Sequence, residues 1–327
     1  MRPVVFIPEF IHASGRQALS IECDLVTPWK EGTSIMDVPQ SDTEHRAPLY
    51  EADAVIVRTF TISSEDMQRS QRLRAIVNHG VGVDNIDLKA AAEHGIPVAY
   101  TPTGNTNAVA EHVVALMMAL SRRVVPARQA LIEGQFNRRN EFQGAEVAGK
   151  TLGIIGMGRI GRQIVKKALG LDMKVIAYDA FVSASDFPAH VLRKENISHL
   201  LSGSDYITLH VPLTDQTHHM INRETIGLMK SDARVINTSR GPVIDQEALH
   251  GALLDGRLGG AALDVFEEEP LSAHHPLNDL PNTILTPHIA GLTETAMERI
   301  SMQSAQAVLN LLHGRPAEFP ITDEMGF

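Results

Sequence analysis

Short apolar, β-branched runs alternate with helix-like stretches along nearly the whole chain, and this alternation limits the possible folds more than any other feature. The runs are Val4 to Ile7, Ala54 to Val57, Ala75 to Val77, Pro97 to Ala99, Leu152 to Ile155, Lys174 to Ala177, Tyr206 to Leu209, Arg234 to Ile236 and Thr283 to Leu285. Such a pattern predicts an α/β chain with parallel strands flanked by helices. Helix boundaries are signalled by Ser63 followed by Asp66, by Asp245 ahead of Gln246 to Leu254, and by Thr293 ahead of a long final helix. Strand patterns accumulate before residue 100 and restart at Thr151, and 327 residues exceed what one core usually serves, so two domains are expected. Ala108 to Ser121 is apolar nearly all round and should be buried, between domains or subunits. Thr27 to Pro48, rich in Pro, Asp, Ser and Thr, reads as a surface loop.

Composition narrows the partners. With 29 basic against 39 acidic residues, a formal charge of −10 disfavours nucleic acid and anionic membranes. Cys23 is the only cysteine, so no internal disulfide or thiolate metal cluster can form, and a reducing, cytoplasmic setting is expected. The N-terminus reaches Pro8 and Glu9 too soon for a signal-peptide apolar region. Ala108 to Leu120 is too short to span a bilayer and carries Glu111 and His112. The pairs His218-His219 and His274-His275 invite a metal assignment. Neighbouring side chains on a strand face opposite ways, though, and no cysteine or acidic spacing accompanies them, so no metal is expected.

The strand pattern Thr151 to Ile155 runs directly into Gly156-Met157-Gly158-Arg159-Ile160-Gly161 and then a helical run, Gln163 to Leu169. Gly156 permits the tight turn, Gly158 admits a pyrophosphate to the backbone, and Gly161 allows close helix packing. The phosphates would then rest on helix N–H groups at the positive end of the dipole. Asp179, eighteen residues after Gly161, ends the next strand where an acid holds the adenosine ribose hydroxyls. Ala180-Phe181-Val182-Ser183 follow with no nearby Arg or Lys, so NAD is favoured over NADP.

Three later segments each place an ionisable residue at a strand end or turn: Arg240 in Asn237-Thr238-Ser239-Arg240-Gly241, Glu269 in the run from Asp264 to Pro270, and His288 in Pro287-His288-Ile289-Ala290-Gly291. A 2-keto acid needs a cation for its carboxylate, a proton donor for its carbonyl oxygen, and a group that keeps that donor charged. Singly, each residue has an ordinary reading as a surface or core side chain; together they supply all three services.

These motifs, with Asn78-His79-Gly80-Val81-Gly82-Val83-Asp84-Asn85-Ile86-Asp87 and His210-Val211-Pro212-Leu213-Thr214, resemble the D-isomer-specific 2-hydroxyacid dehydrogenases, most closely their phosphoglycerate dehydrogenase branch. The spacings of 29 from Arg240 to Glu269 and 19 from Glu269 to His288 suit that family, and the resemblance spans roughly two-thirds of the chain. It implies two Rossmann-like, doubly wound domains with a cleft between them: residues 1–100 and 290–327 bind substrate, and residues 101–289 bind NAD. Arg240 would hold the substrate carboxylate and carbonyl, His288 would be the acid–base group, and Glu269 would orient and charge it. The backbone of Val81 and Gly82 would meet the substrate carboxylate, and Arg58, apart from the resemblance, is a candidate substrate contact by its charge. Gly156, Gly158, Arg159, Ile160, Gly161, Asp179, His210, Pro212, Thr217, Thr238, Asp264, His288 and Gly291 would line the cofactor, with Asp264 near the nicotinamide amide.

The resemblance also implies a homodimer formed through the region after residue 100, where Phe136 replaces a frequent tryptophan. Few residues follow the final helix near His313, so the feedback control of long phosphoglycerate dehydrogenases is not expected. Phosphohydroxypyruvate leads as substrate, followed by hydroxypyruvate, glyoxylate and a sulfonated acid, and Arg58, Arg138 and Arg139 are candidates for a second anionic group. Glu269 stands where the formate dehydrogenase branch has glutamine. Corepressor relatives that sense NAD retain the same trio, so a binding protein is the competing reading.

Overall fold

The computed structural model describes residues 2–29 and 43–322. The chain forms two compact units, Met1–Asn105 with Leu292–Phe327, and Thr106–Gly291. Each is a parallel sheet with helices on both faces.

In the first unit the strands β1 (Val4–Phe6), β2 (Asp24–Val26), β3 (Ala54–Val57), β4 (Ala75–Asn78) and β5 (Val98–Ala99) lie in the order β2-β1-β3-β4-β5. Alternation along a strand sends side chains to opposite faces. Val55 and Val57 therefore pack with Leu49 of α2 (Thr43–Glu51), Met67 of α3 (Ser64–Arg69) and Ala90 of α4 (Leu88–Glu93). Ala54 and Ile56 pack on the other side with Leu19 of α1 (Ala13–Ser20) and Val308 of the long helix that follows Thr293. Helix α3 carries the expected capping box: the Ser63 hydroxyl accepts from Asp66 N, and Asp66 accepts from Ser63 N. The loop expected from Thr27 to Pro48 gives way to helix at Thr43, because Leu49 is wholly buried and anchors α2 despite its internal Pro48. Residues 30–42 of that stretch lie outside the described residues.

The second unit opens with α5 (Thr106–Ser121) and α6 (Val124–Ile132), then alternates β6 (Thr151–Ile155), α7 (Arg159–Leu169), β7 (Lys174–Tyr178), β8 (Leu192–Arg193), α8 (Ile197–Gly203), β9 (Tyr206–Leu209), α9 (Arg223–Ile226), β10 (Arg234–Asn237), α10 (Gln246–Leu254), β11 (Gly260–Leu263) and β12 (Thr283–Leu285). Its sheet order is β12-β11-β10-β9-β6-β7-β8. Successive strands run outward from β6 to β8 and then restart at β9 on the other side of β6. That reversal leaves a crevice at the carboxyl ends of β6 and β9, where ligands of doubly wound sheets bind.

One face of this sheet is covered by α5 and α7, the other by α8, α9 and α10. Val113, Leu116, Met117 and Leu120 of α5 are buried there, each contributing on the order of 2 kcal/mol. The helix is not buried all round as its sequence suggests, since Ala115 is exposed and Met118 and Ala119 only half-buried. Asp245 caps α10 through Ala248 N, and Thr293 caps α11 (Glu294–Leu312) through Ala296 N. No helix of the described residues is long and apolar enough to cross a membrane.

Candidate active site

The strand-turn-helix expected at Gly156 is present: β6 ends at Ile155 and α7 begins at Arg159. Gly156 has φ +98, and a Cβ on it would lie 2.2 Å from the carbonyl oxygen of His210, so only glycine lets β6 and β9 end against each other. A Cβ on Gly158 would meet nothing within 4 Å, which leaves open space over the turn. No side chain caps α7, and a helix N-terminus beside such an open turn is suited to an anion. Asp179, just past β7, accepts from Met157 N at 2.7 Å through one oxygen, and from Phe181 N and Val182 N at 2.8 and 3.0 Å through the other. Its carboxylate thus braces the glycine turn.

Beyond β9, burial pulls the His210 imidazole down to a pKa of about 3, so it is neutral. Its Nε2 meets Thr208 Oγ1 at 2.7 Å, while Nδ1 is buried without a partner, as is Thr238 Oγ1 beyond β10. Buried polar atoms without partners are costly unless a ligand completes them. With the open glycine turn and uncapped helix, these atoms fit a dinucleotide lying across the carboxyl ends of β6, β9 and β10. Thr217 donates to Pro212 O at 2.7 Å, which ties these two expected cofactor residues into one loop.

The charged trio comes together within the second unit. Arg240 follows β10 with its carbonyl held by Asn237 Nδ2 at 2.8 Å and its own Nη1 on Ser239 O at 2.7 Å. Glu269 accepts from Phe266 N at 3.0 Å through Oε1, and its Oε2 lies 2.7 Å from His288 Nδ1. Burial works against the ionised form of Glu269, but the His288 bond and charge, the Phe266 N–H and the Arg240 charge outweigh it and hold the carboxyl below its usual range. Gly241 makes the assembly possible, because a Cβ there would sit 1.9 Å from the Phe266 carbonyl.

The resemblance puts Asp264 beside the nicotinamide amide; here its carboxylate is wholly buried. It is taken up by Thr286 Oγ1, Ile289 N at 2.9 Å and Ala290 N at 2.7 Å, so the group it holds is the His288 segment. His112 and Thr286 join this cluster and are not legible in the sequence: His112 reads as a stray polar residue in an apolar helix. The only available signal is a histidine placed where the rest of α5 is built for burial. Gln246 likewise carries no local signal; its Oε1 accepts from Glu267 N at 3.0 Å and steadies the loop that carries Glu269.

Arg58, Val81 and Gly82 belong to the first unit, beyond the ends of β3 and β4. Glu9 accepts from the N–H groups of Arg58, Thr59 and Phe60 at 2.6 to 3.0 Å. The Arg58 guanidinium donates to Phe10 O at 3.1 Å, and burial lowers its pKa against the opposing pull of Glu9. His79 is driven down to about 3 by burial and by the Arg58 charge. Asn78 Nδ2 donates to Gly82 O at 2.6 Å. Arg138 is exposed and paired within its own turn to Glu141 at 2.9 Å, and Arg139 lies over Phe136 at 5.7 Å.

Contrary to the strand expected for the first histidine pair, His218 and His219 lie in a turn. Their rings stack at 4.0 Å, and His219 pairs with Glu267 at 2.6 Å. Among the described residues no three His, Cys, Asp or Glu side chains form a metal-holding group.

Comparison with known proteins agrees with this geometry. Residues 114–290 match the family model of the D-isomer specific 2-hydroxyacid dehydrogenase NAD binding domain. The D-3-phosphoglycerate dehydrogenase of Synechocystis sp. is 42% identical over 268 residues, covering 82% of this chain and 48% of the relative. The chain therefore spans about half the length of the phosphoglycerate dehydrogenases it matches. A glyoxylate reductase of Thermofilum pendens is 38% identical, covering 96% of this chain and 92% of the relative. The structure of Aquifex aeolicus D-lactate dehydrogenase complexed with NAD and lactic acid superposes with a TM-score of 0.81 at 31% identity, covering 95% of this chain and 96% of that one. With a nucleotide turn, an orphaned pair of polar atoms and a matching family model over more than half its length, the chain belongs to the D-isomer specific 2-hydroxyacid dehydrogenase family and carries that family's NAD-binding domain.

Proposed function

We propose that the protein is an NAD-dependent oxidoreductase that interconverts a D-2-hydroxy acid and its 2-keto acid. The observation that carries this reading is the 2.7 Å contact between His288 Nδ1 and Glu269 Oε2 beside the Arg240 charge. A planar guanidinium can grip a carboxylate and the adjacent carbonyl together, and thereby orients the carbonyl carbon. Because Nδ1 of His288 is taken by Glu269, Nε2 is the nitrogen left to serve the substrate oxygen. NADH held at the glycine turn would supply the hydride that this carbon accepts in reduction. The Nε2 proton passes to the oxygen as the C=O bond opens to an alcohol, and in the reverse direction Nε2 takes the hydroxyl proton back. Glu269, ionised throughout the neutral range, stabilises the imidazolium between turnovers.

Residues Thr106–Gly291 act as the NAD domain in this reading and the remaining unit as the substrate domain. The roles of Val81 and Gly82 toward substrate rest on the family resemblance, and that of Arg58 on its charge. Phosphohydroxypyruvate leads among substrates because relatives named phosphoglycerate dehydrogenase reach 42% identity; glyoxylate and hydroxypyruvate follow from relatives of those names at 38%. A homodimer is supported by apolar residues left at the surface of α5 and α6. Ala115, Met118, Ala119, Val124 and Ala127 line a shallow depression with Arg122, and Val125, Leu131, Ile132 and Phe136 of the following segment are exposed. A cytoplasmic setting rests on the lone buried thiol of Cys23.

The deciding experiment is NADH oxidation across a panel of 2-keto acids, with kcat/KM for each. Phosphohydroxypyruvate is expected to give the highest value; no turnover on any member would sink the enzyme reading in favour of a sensor of NAD.

A further inference from the structure

The segment that carries His288 is wound around a carboxylate that solvent does not reach. Asp264 stands one residue beyond β11, and the chain from Thr286 to Ala290 closes on it through the Thr286 hydroxyl and the N–H groups of Ile289 and Ala290. From α5, His112 Nε2 approaches to 3.2 Å from Thr286 Oγ1 and 3.6 Å from Asp264 Oδ1. Thr286 spends its only proton on Asp264, so its oxygen accepts from His112, which makes Nε2 the protonated nitrogen of that ring. His288 itself has φ +52, a left-handed conformation that a residue with a side chain rarely adopts. Such strain persists only where the surroundings over-determine the backbone. The bonds to Asp264 supply that determination on the C-terminal side of His288, and His288 N to Thr286 O at 3.0 Å supplies it on the other.

We propose that His112 and Thr286 are positioning residues for His288: they lock the Asp264 carboxylate and thereby hold the left-handed turn that sets the imidazole against Glu269. Burial alone would push Asp264 toward its neutral form. The bonds from His112, Thr286, Ile289 and Ala290 outweigh it and keep the carboxylate ionised, which strengthens every bond to the turn. The proposal rests on His288 being the acid–base group of the proposed reaction.

Paired substitutions at each position test it. Thr286→Val keeps the shape and removes the hydroxyl, whereas Thr286→Ser keeps the hydroxyl. His112→Leu removes the donor, whereas His112→Gln returns an amide N–H at nearly the reach of Nε2. We expect Thr286→Val and His112→Leu to lose about 10- to 100-fold in kcat, as sub-ångström misplacement of a reacting group does. The dissociation constant for NADH should stay within about 3-fold, and the Ser and Gln variants should recover most of the activity. Amide hydrogen exchange of a peptide spanning residues 286–290 should quicken in the Val and Leu variants more than that of peptides elsewhere in the chain, and return toward the unmodified rate in the Ser and Gln variants. Unchanged exchange and kcat in Thr286→Val would overturn the proposal, as would a loss that serine does not rescue or one confined to NADH binding. An unmodified protein inactive on every keto acid sinks the functional reading instead, and the exchange rates then still decide whether the bracket exists.

Discussion

Glu269 divides its two carboxylate oxygens between the Phe266 N–H and His288 Nδ1, at 3.0 and 2.7 Å, so one side chain fixes the loop it stands on and the ring it faces. Its carboxyl lies below its usual range, and the sign follows directly. A depressed folded pKa means that the ionised contact is complete at neutral pH and is lost only as pH falls through the depressed value. Replacing Glu269 by glutamine keeps a hydrogen bond but removes the charge that favours imidazolium. The fall in reductive kcat/KM as pH drops through the depressed Glu269 pKa should therefore be absent from the variant, at a lower rate throughout. Profiles left in place by Glu269→Gln, while His288→Ala abolishes turnover, would show that Glu269 is not the charge partner.

Arg240→Lys should cost far more than a charge-conserving change suggests. A point charge cannot grip carboxylate and carbonyl at once. We expect kcat/KM to fall by about two orders of magnitude or more, with NADH binding intact by fluorescence titration. Near-normal kcat/KM would remove Arg240 from the site.

Gly241→Ala should damage the site through the backbone. Its Cβ would fall 1.9 Å from the Phe266 carbonyl, an obstacle that no side-chain rotation relieves. Overpacking of this kind costs about 1–3 kcal/mol, and here it separates the loop of Arg240 from the loop of Glu269. A lowered Tm in thermal melts together with a loss of kcat/KM is the expected pair of results; full activity would contradict the close packing.

Asp179→Ala should narrow the gap between NAD and NADP. The carboxylate repels a 2′-phosphate, but it also braces Met157 N, so both cofactors should bind less well and only their ratio reports specificity. The ratio of kcat/KM for NAD to that for NADP should fall by about tenfold or more, the effect of one unscreened charge at short range. An unchanged ratio would show that the acid acts on the turn alone.

Ile132→Asp should disperse a dimer. Leu131, Ile132 and Phe136 are exposed to 60, 61 and 62%, beside the apolar depression on α5 and α6. Sedimentation velocity should show a dimer for the unmodified chain and a monomer for the variant. A monomer in both would refute the assembly.

The strands of both units whose residues are β-branched and bulky, such as Ala54–Val57 and Tyr206–Leu209, are legible from residue type alone, because burial on both faces demands such residues. Three strands are not. β2 and β8 lie at sheet edges with exposed positions and so lack an apolar signal, and β11 is Gly260-Ala261-Ala262-Leu263, small because Leu120 of α5 lies 3.0 Å from where a Cβ on Gly260 would be. The stacked turn at His218-His219 is hidden for a related reason: a left-handed residue such as His219 leaves no composition mark.

By itself the sequence determined the alternating α/β plan and the nucleotide turn from Gly156 to Gly161, because each depends on residue type at a local spacing, whereas Arg240, Glu269 and His288 stand out only together, through the family they resemble. Only the tertiary structure decided which groups serve them. Asp264 finds Ile289 N and Ala290 N across sequence gaps of 25 and 26, and His112 finds Thr286 across one of 174. Those distances are set by the parallel order of β10, β11 and β12 and the helix laid across them, and no local pattern encodes them.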